Sequence, residues 1–235
     1  MKNSQPGYYP GYHTLSQQKY WDAATRKVVL DRVNNTPQIR FFTALQARLM
    51  EAVCARIVPQ EDRDPAYRIP IVPGIDERLF KDKHDGYRYE DMPEDREAYA
   101  LGLQGIEEIA QHLHGRAFVD LEARAQDEIL EALHDAKPPA AHEIWKKMAV
   151  HRFWMLLVKD CITEYYSHPY AWDEIGYGGP AYPRAYMRLE HGEPEPWEKP
   201  EQRREWKALG SDLSEKYAYV AGLAEHFGGP QGGTH

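Results

Sequence analysis

The apolar stretch at residues 144–166 constrains the fold of this chain more than any other feature. One set of apolar residues recurs every three or four positions, which places its members on one face of a helix: Val150, Trp154, Leu157, Cys161 and Tyr165. A second stripe lies beside the first and holds Met148, His151, Met155, Val158, Ile162 and Tyr166. The remaining narrow polar face holds Arg152, Lys159 and Thr163. A helix that is apolar over most of its circumference belongs inside a protein, so the stretch predicts a buried central helix.

The same stretch is too short to cross a membrane. Its unbroken apolar run covers residues 153–158, whereas a membrane span needs about 20 residues. The first ten residues contain neither an apolar segment nor a twin arginine, which predicts no export signal. We therefore expect no transmembrane segment, and either a cytoplasmic protein or export together with a signal-bearing partner.

An aromatic, Gly- and Pro-rich arm follows the helix at residues 170–188. The arm is too irregular for a helix and too aromatic for a plain solvent loop. Two interpretations stay open, because aromatic loops of this kind either dock a partner protein or fold back over a core. The candidate partner-binding residues combine amphipathic aromatic anchors, glycines and arginines for pairing across an interface: Trp172, Tyr177, Gly178, Gly179, Tyr182, Arg184, Tyr186 and Arg188.

The rest of the chain predicts further helices around the central one. Helical periodicity and turn signals place them at residues 15–33, 37–57, 74–80, 93–114 and 122–135. Gly102 and Gly105 lie inside the fourth, where they would allow close packing with a neighbouring helix. The sequence therefore predicts an all-α, irregular multi-helix bundle. Its predicted domains are an N-terminal extension (1–36), a helical domain (37–190) and a C-terminal helix with a disordered tail (191–235).

Composition narrows the classes of partner. The net charge is −8 and no basic block supplies phosphate contacts, which argues against nucleic acid. The two cysteines, Cys54 and Cys161, are too few for an iron–sulfur cluster or a cysteine-based zinc site. Both lie on apolar helical stripes, so they are either two buried thiols or a disulfide between core helices, which would require an oxidising compartment.

A search for catalytic motifs favours an accessory protein. Glu131 and His134 have the Glu-x-x-His spacing of a di-iron bundle, but that site needs a second motif and two more glutamates. His151 lies on an apolar stripe and is predicted to be a hydrogen-bonded core histidine. The glycines at 176–179 do not fit a dinucleotide-binding loop, and no nucleophile, base and oxyanion site can be assembled. An independent metal-dependent all-α enzyme with His and Glu ligands remains the alternative.

Four blocks in order resemble the gluconate 2-dehydrogenase subunit 3 family. The first is Ala-Arg-Ile-Val-Pro-Gln-Glu-Asp at 55–62, followed by Ile-Asp-Glu-Arg-Leu at 75–79. The second is Tyr-x-x-Gly-Leu at 99–103, and the third is Gly-Arg-Ala-Phe-Val-Asp-Leu at 115–121 with Gln126, Ile129 and Leu130. The fourth is Tyr-Tyr-Ser-His-Pro at 165–169, followed by Gly-Tyr-Gly-Gly-Pro at 176–180. The family often has Asn where this chain has Pro180, so gluconate is not carried over as the substrate.

The resemblance implies a function for the chain. Such proteins are non-catalytic small subunits of membrane-associated or periplasmic FAD-dependent sugar and alcohol dehydrogenases of the glucose–methanol–choline type. They bind the large flavin subunit and support its folding, maturation and export, while electrons pass to a cytochrome or another acceptor. The resemblance therefore implies FAD on the partner and no cofactor in this chain, a cytochrome c subunit as a further partner, and a bacterial periplasmic location.

Overall fold

The computed structural model describes residues 13–84, 86–177 and 179, and every regular element in this part of the chain is a helix, which confirms the all-α prediction. The α-helices are α1 (Ala23–Asn34), α2 (Ala44–Ile57), α3 (Ile71–Phe80), α4 (Asp95–His114), α5 (Ala123–His134), α6 (His142–Trp145), α7 (Val150–Ser167) and α8 (Pro169–Ile175). Short 3-10 helices occupy Thr14–Tyr20, Pro65–Tyr67 and Phe118–Asp120. None of the helices in the described residues has the length and apolarity that a bilayer crossing requires.

The chain divides into two compact units, Trp21–Trp172 and a smaller one formed by Met1–Tyr20 with Asp173–His235. In the smaller unit the backbone N–H of Thr14 donates to the Asp173 carboxylate at 2.7 Å. The Thr14 hydroxyl donates to the carbonyl of Tyr177 at 2.8 Å. These bonds join the two chain ends that make up this unit. The domain borders at 36/37 and 190/191 stay predictions.

The helix ends follow local capping rules. The predicted helix at 15–33 is two elements, because Asp22 caps a new helix by accepting from the backbone N–H of Thr25. The second helix starts at Ala44 rather than at 37, since Thr43 and Gln46 form a capping box. α4 ends at Gly115, whose φ of 65° is left-handed and suits glycine, as expected for its C-cap.

The core of the larger unit lies between α2, α3, α4, α5 and α7. Its largest fully buried side chains include Tyr99, Phe118 and Phe153. A side chain at Gly102 would overlap the ring of Phe153, and one at Gly105 would press on the ring of Trp145. The two glycines in α4 therefore admit aromatic rings from α6 and α7, which confirms the prediction of close packing.

The central helix differs from its prediction in two respects. The predicted single helix is divided into α6 and α7, because the backbone N–H of Ala149 donates to the carbonyl of Asp91 at 3.1 Å instead of continuing the helix. The first predicted stripe is covered, with Leu157 and Cys161 fully buried. In the second predicted stripe Met148 is buried, but His151, Met155, Ile162 and Tyr166 are exposed, Met155 by 58%. The prediction of burial was therefore wrong for these four residues, which leave one face of α7 uncovered.

The start of the predicted irregular arm is also helical. Pro169 opens α8, because proline suits the first turn of a helix, where its missing N–H costs nothing. The Nδ1 atom of His168 accepts from the backbone N–H of Tyr170 at 3.2 Å and so caps this turn. The prediction that residues from 170 onward are non-helical was wrong as far as Ile175.

Candidate partner-binding surface

An exposed stripe runs along α7. Its members recur every three or four positions and are all exposed, so they share one face of the helix. We call the set the α7 stripe: His151, Met155, Lys159, Ile162 and Tyr166. The Ile162 and Tyr166 side chains are 44% and 49% exposed. His151 therefore lies at the surface, and the prediction of a core histidine was wrong. Large apolar side chains that recur along one exposed helix face are typical of a protein-binding surface.

A groove of about 290 Å³ adjoins one end of the α7 stripe, and Met155 and Lys159 line both features. We call it the Tyr87 groove; its other lining residues are Tyr87, Arg88, Tyr89, Met92, Pro93, Asp95, Arg152 and Leu156. Tyrosine, methionine and arginine are enriched at protein interfaces. Sequence reasoning missed the groove, although two tyrosines inside the polar segment 81–91 were a visible signal.

Ion pairs hold the shape of the Tyr87 groove. The Arg152 guanidinium lies 3.6 Å from the centre of the Tyr89 ring and pairs with Asp91 at 2.8 Å. Arg88 pairs with Glu94 at 2.7 Å. Arg152 thus connects α7 to the loop before α4, whereas the Arg88–Glu94 pair lies within the segment that precedes α4.

A buried polar cluster lies at the other face of α7. We call it the Arg78 cluster: Arg78 of α3, Asp95 and Tyr99 of α4, and Asp160 of α7. Arg78 donates to Asp160 at 2.5 Å and to Asp95 at 2.6 Å. The Tyr99 hydroxyl donates to the same oxygen of Asp160 at 2.7 Å. Three helices are therefore joined through one carboxylate, which fixes the position of α7 and of its exposed stripe.

Burial and neighbouring charges shift the pKa values of Arg78 and Asp160 in opposite directions. Burial raises the pKa of Asp160 above its ordinary value, although Arg78 and the Tyr99 hydroxyl oppose that shift. Burial lowers the pKa of Arg78, but Asp160 and Asp95 raise it by more, so the guanidinium stays charged. Burial, with the Asp160 charge next, raises the pKa of Tyr99, so its hydroxyl stays a donor. The cluster is one guanidinium between two carboxylates, completed by a neutral donor, which suits a structural role.

Residues of the first two blocks that resemble the family have structural roles. Ile75 and Leu79 are in the core, and Asp76 between them is fully buried. The Asp76 carboxylate accepts from three successive backbone N–H groups before α2, at 2.7, 2.9 and 2.8 Å. Arg78 also belongs to this block. In the second block the Tyr99 hydroxyl donates to Asp160, and Gly102 leaves room for the Phe153 ring of α7. Both blocks thus hold α3 and α4 in place.

The predicted partner-binding residues are only partly within the described part of the chain. Trp172 is buried in the larger unit, where its indole N–H donates to the Tyr166 carbonyl at 2.6 Å. Tyr177 is 41% exposed, and Gly179 has a φ of 98°. The other predicted residues lie outside the described residues: Gly178, Tyr182, Arg184, Tyr186 and Arg188. Assignment of these eight residues to a partner stays a prediction.

The metal-dependent alternative finds no support in the described residues. Among them no group of three or more His, Cys, Asp or Glu side chains is placed to hold a metal ion. The Glu-x-x-His pair at 131 and 134 is at the surface, and His134 lies 2.9 Å from the carboxylate of its neighbour Asp135. We do not carry this alternative further.

The fold and the surface define an all-α protein that exposes an apolar helix face beside a groove. A family model described as gluconate 2-dehydrogenase subunit 3 matches residues 44–179, more than half of the chain. The chain therefore belongs to the gluconate 2-dehydrogenase subunit 3 family, whose members are described as a subunit of an oxidoreductase complex. No curated protein and no solved structure matches the chain.

Proposed function

We propose that this chain is a non-catalytic small subunit that binds the large flavin subunit of an FAD-dependent sugar dehydrogenase of the glucose–methanol–choline type. The observation that carries the proposal is the α7 stripe, which exposes large apolar side chains along a helix whose opposite face is packed in the core. Fully burying an apolar side chain of this size contributes about 1.5–3 kcal/mol, so covering the half-exposed Met155, Ile162 and Tyr166 provides a substantial driving force for association.

The Tyr87 groove extends this surface. Its tyrosine and methionine walls suit an apolar or aromatic anchor of the partner. The arm at 170–188 remains a candidate second contact in the proposal, with the exposed Tyr177 in its described part.

We place FAD on the partner. A dinucleotide is held by a glycine-rich loop between a strand and a helix, and the described residues form helices only. The small subunit would support folding and maturation of the flavin subunit, in the periplasm or at the membrane, with a cytochrome c as a further subunit.

Co-expression with a large flavin subunit of the glucose–methanol–choline type tests the binding proposal. With the tag on the flavin subunit, the native chain should co-purify. Met155→Glu and Ile162→Glu should weaken binding at least about 30-fold, because a charge replaces a buried apolar contact. Leu45→Glu is the matched control, since Leu45 is an exposed apolar residue on α2. Loss of binding in the control alone, or undiminished binding of both stripe variants, would contradict the proposal.

A second experiment tests the maturation role. The flavin subunit expressed alone should contain less FAD and less soluble protein than when it is co-expressed with this chain. Size-exclusion chromatography of the co-expressed pair then separates a stable subunit, which co-elutes, from a transient chaperone, which does not. Equal FAD content with and without the chain would contradict a role in maturation.

A further inference from the structure

The two cysteines meet in the core. Cys54 of α2 and Cys161 of α7 are separated by 107 positions in the chain, yet their Sγ atoms lie 3.6 Å apart. Both thiols are free and buried. A disulfide requires an S–S distance of about 2.05 Å, so the two sulfurs would have to approach by about 1.5 Å.

A cavity adjoins one of the two cysteines. It has a volume of about 380 Å³ and is lined by Cys54 together with Glu51, Gln60, Glu61 and Arg68 among others. This volume lies within the range of small-molecule sites. Its rim is fixed, because the Gln60 amide donates to the Ile69 carbonyl at 3.1 Å and accepts from the Ile69 N–H at 2.7 Å.

The two cysteines differ in accessibility. Cys54 is 3% exposed and lines the cavity, whereas Cys161 is fully buried and is not among its lining residues. The pair therefore has one cysteine that lines a cavity and a second that does not, so an external reagent would meet Cys54 first.

We propose that Cys54 and Cys161 form a disulfide that joins α2 to α7 when the chain meets an exchangeable small-molecule disulfide, which reacts at Cys54 through this cavity. The Cys54 thiolate attacks one sulfur of the reagent, forms a mixed disulfide and releases one thiolate. The Cys161 thiolate then attacks the Cys54 sulfur and displaces the second thiolate. The two protons lost by the cysteines neutralise the two released thiolates, so two electrons pass from the chain to the reagent.

The environment of the pair sets the rate of this exchange. The hydrogen bond to Cys161 and burial raise the pKa of the Cys54 thiol well above its ordinary value. Because the thiolate is the reacting form, the reaction of the folded chain should be slow near pH 7. It should become faster by up to about tenfold per pH unit as the solution becomes more alkaline.

The disulfide would also fix the helix that carries the α7 stripe. It closes a loop of about 107 residues, and closure of long loops restricts the unfolded chain most strongly. We therefore expect the oxidised form to melt about 5–15 °C above the reduced form. This inference does not depend on the identity of the partner.

The test uses the full chain incubated with excess oxidised glutathione at pH 8.5, followed by intact mass and thiol titration under denaturing conditions. We expect a monomer that is lighter by about 2 Da, has no free thiol and melts at the higher temperature. In the Cys161→Ser variant, the reaction should stop at a glutathione mixed disulfide on Cys54. Cys54→Ser should stay unmodified, because Cys161 does not line the cavity.

A refolding experiment keeps the test decisive if the folded chain reacts too slowly. The chain is refolded from denaturant in a glutathione redox buffer, where burial cannot block access. Two free thiols after refolding, a stable mixed disulfide in the native sequence, or disulfide-linked dimers would each overturn the proposal.

Discussion

Replacing Asp160 by leucine should cost the folded state about 3–5 kcal/mol, which is the usual consequence of removing one partner of a buried ion pair. The Asp160 side chain is only 7% exposed and Arg78 is 20% exposed, so water cannot replace the lost carboxylate easily. The Tyr99 hydroxyl loses its acceptor inside the core, which alone costs about 1–3 kcal/mol. Arg78 keeps Asp95 and the Lys83 carbonyl, and this limits the remaining cost.

The measurement is urea unfolding at pH 7, followed by far-ultraviolet circular dichroism, with the slope m compared between variants. The double variant Arg78→Met/Asp160→Leu should be less destabilised than the sum of its two single variants, by about 2 kcal/mol, because Arg78 and Asp160 are removed together and the only charged group that loses a partner is Asp95, which is 30% exposed. Tyr99→Phe should cost only about 1 kcal/mol, since the Arg78–Asp160 pair stays intact. A cost below 1 kcal/mol for Asp160→Leu, or additivity within about 0.5 kcal/mol, would refute the assignment of this cluster as the junction of α3, α4 and α7.

Three further predictions follow from single contacts. Burial lowers the pKa of His168 to about 4. The contribution of His168 to the free energy of unfolding is therefore complete above about pH 6.5 and is lost as the pH falls through 4. His168→Asn keeps an acceptor for the Tyr170 N–H but has no group that titrates between pH 7 and 4. Over this range the free energy of unfolding of the variant should therefore fall by about 3 kcal/mol less than that of the native chain. Gly102→Ala should lower the melting temperature because the new methyl group overlaps Phe153, and a second change, Phe153→Leu, should restore part of the loss. Asp76→Ala should cost about 2–4 kcal/mol in urea unfolding, since three backbone N–H groups lose their acceptor, whereas Asp76→Asn should cost less.

The sequence predicted those parts of the fold that local rules determine. The C-terminal end of α4 follows from the absence of a side chain at Gly115, which permits the positive φ of its C-cap. The buried face of α5, with Ile129 and Leu133, follows from helical periodicity. These features could be inferred because each depends on residues that are near one another in the chain.

The exposed face of α7 could not be predicted in the same way. Periodicity identifies an apolar face but does not say whether the chain itself or another protein covers it, so Met155 and Leu157 gave the same signal. The Arg78 cluster could not be predicted from the sequence either, because Arg78 and Asp160 are 82 positions apart. The α6–α7 break depends on a backbone bond to Asp91, which the sequence around Ala149 does not reveal.

Radical footprinting of the complex with the flavin subunit tests the central claim most directly. Solvent-generated radicals oxidise exposed Met, Tyr and Leu side chains, and the extent of oxidation is read by mass spectrometry in the free and the bound chain. We predict strong protection of Met155 and Tyr166 in the complex, with unchanged labelling of Leu45 on α2. A complex in which Met155 and Tyr166 are labelled as strongly as in the free chain would contradict the assignment of the α7 stripe as the partner-binding surface.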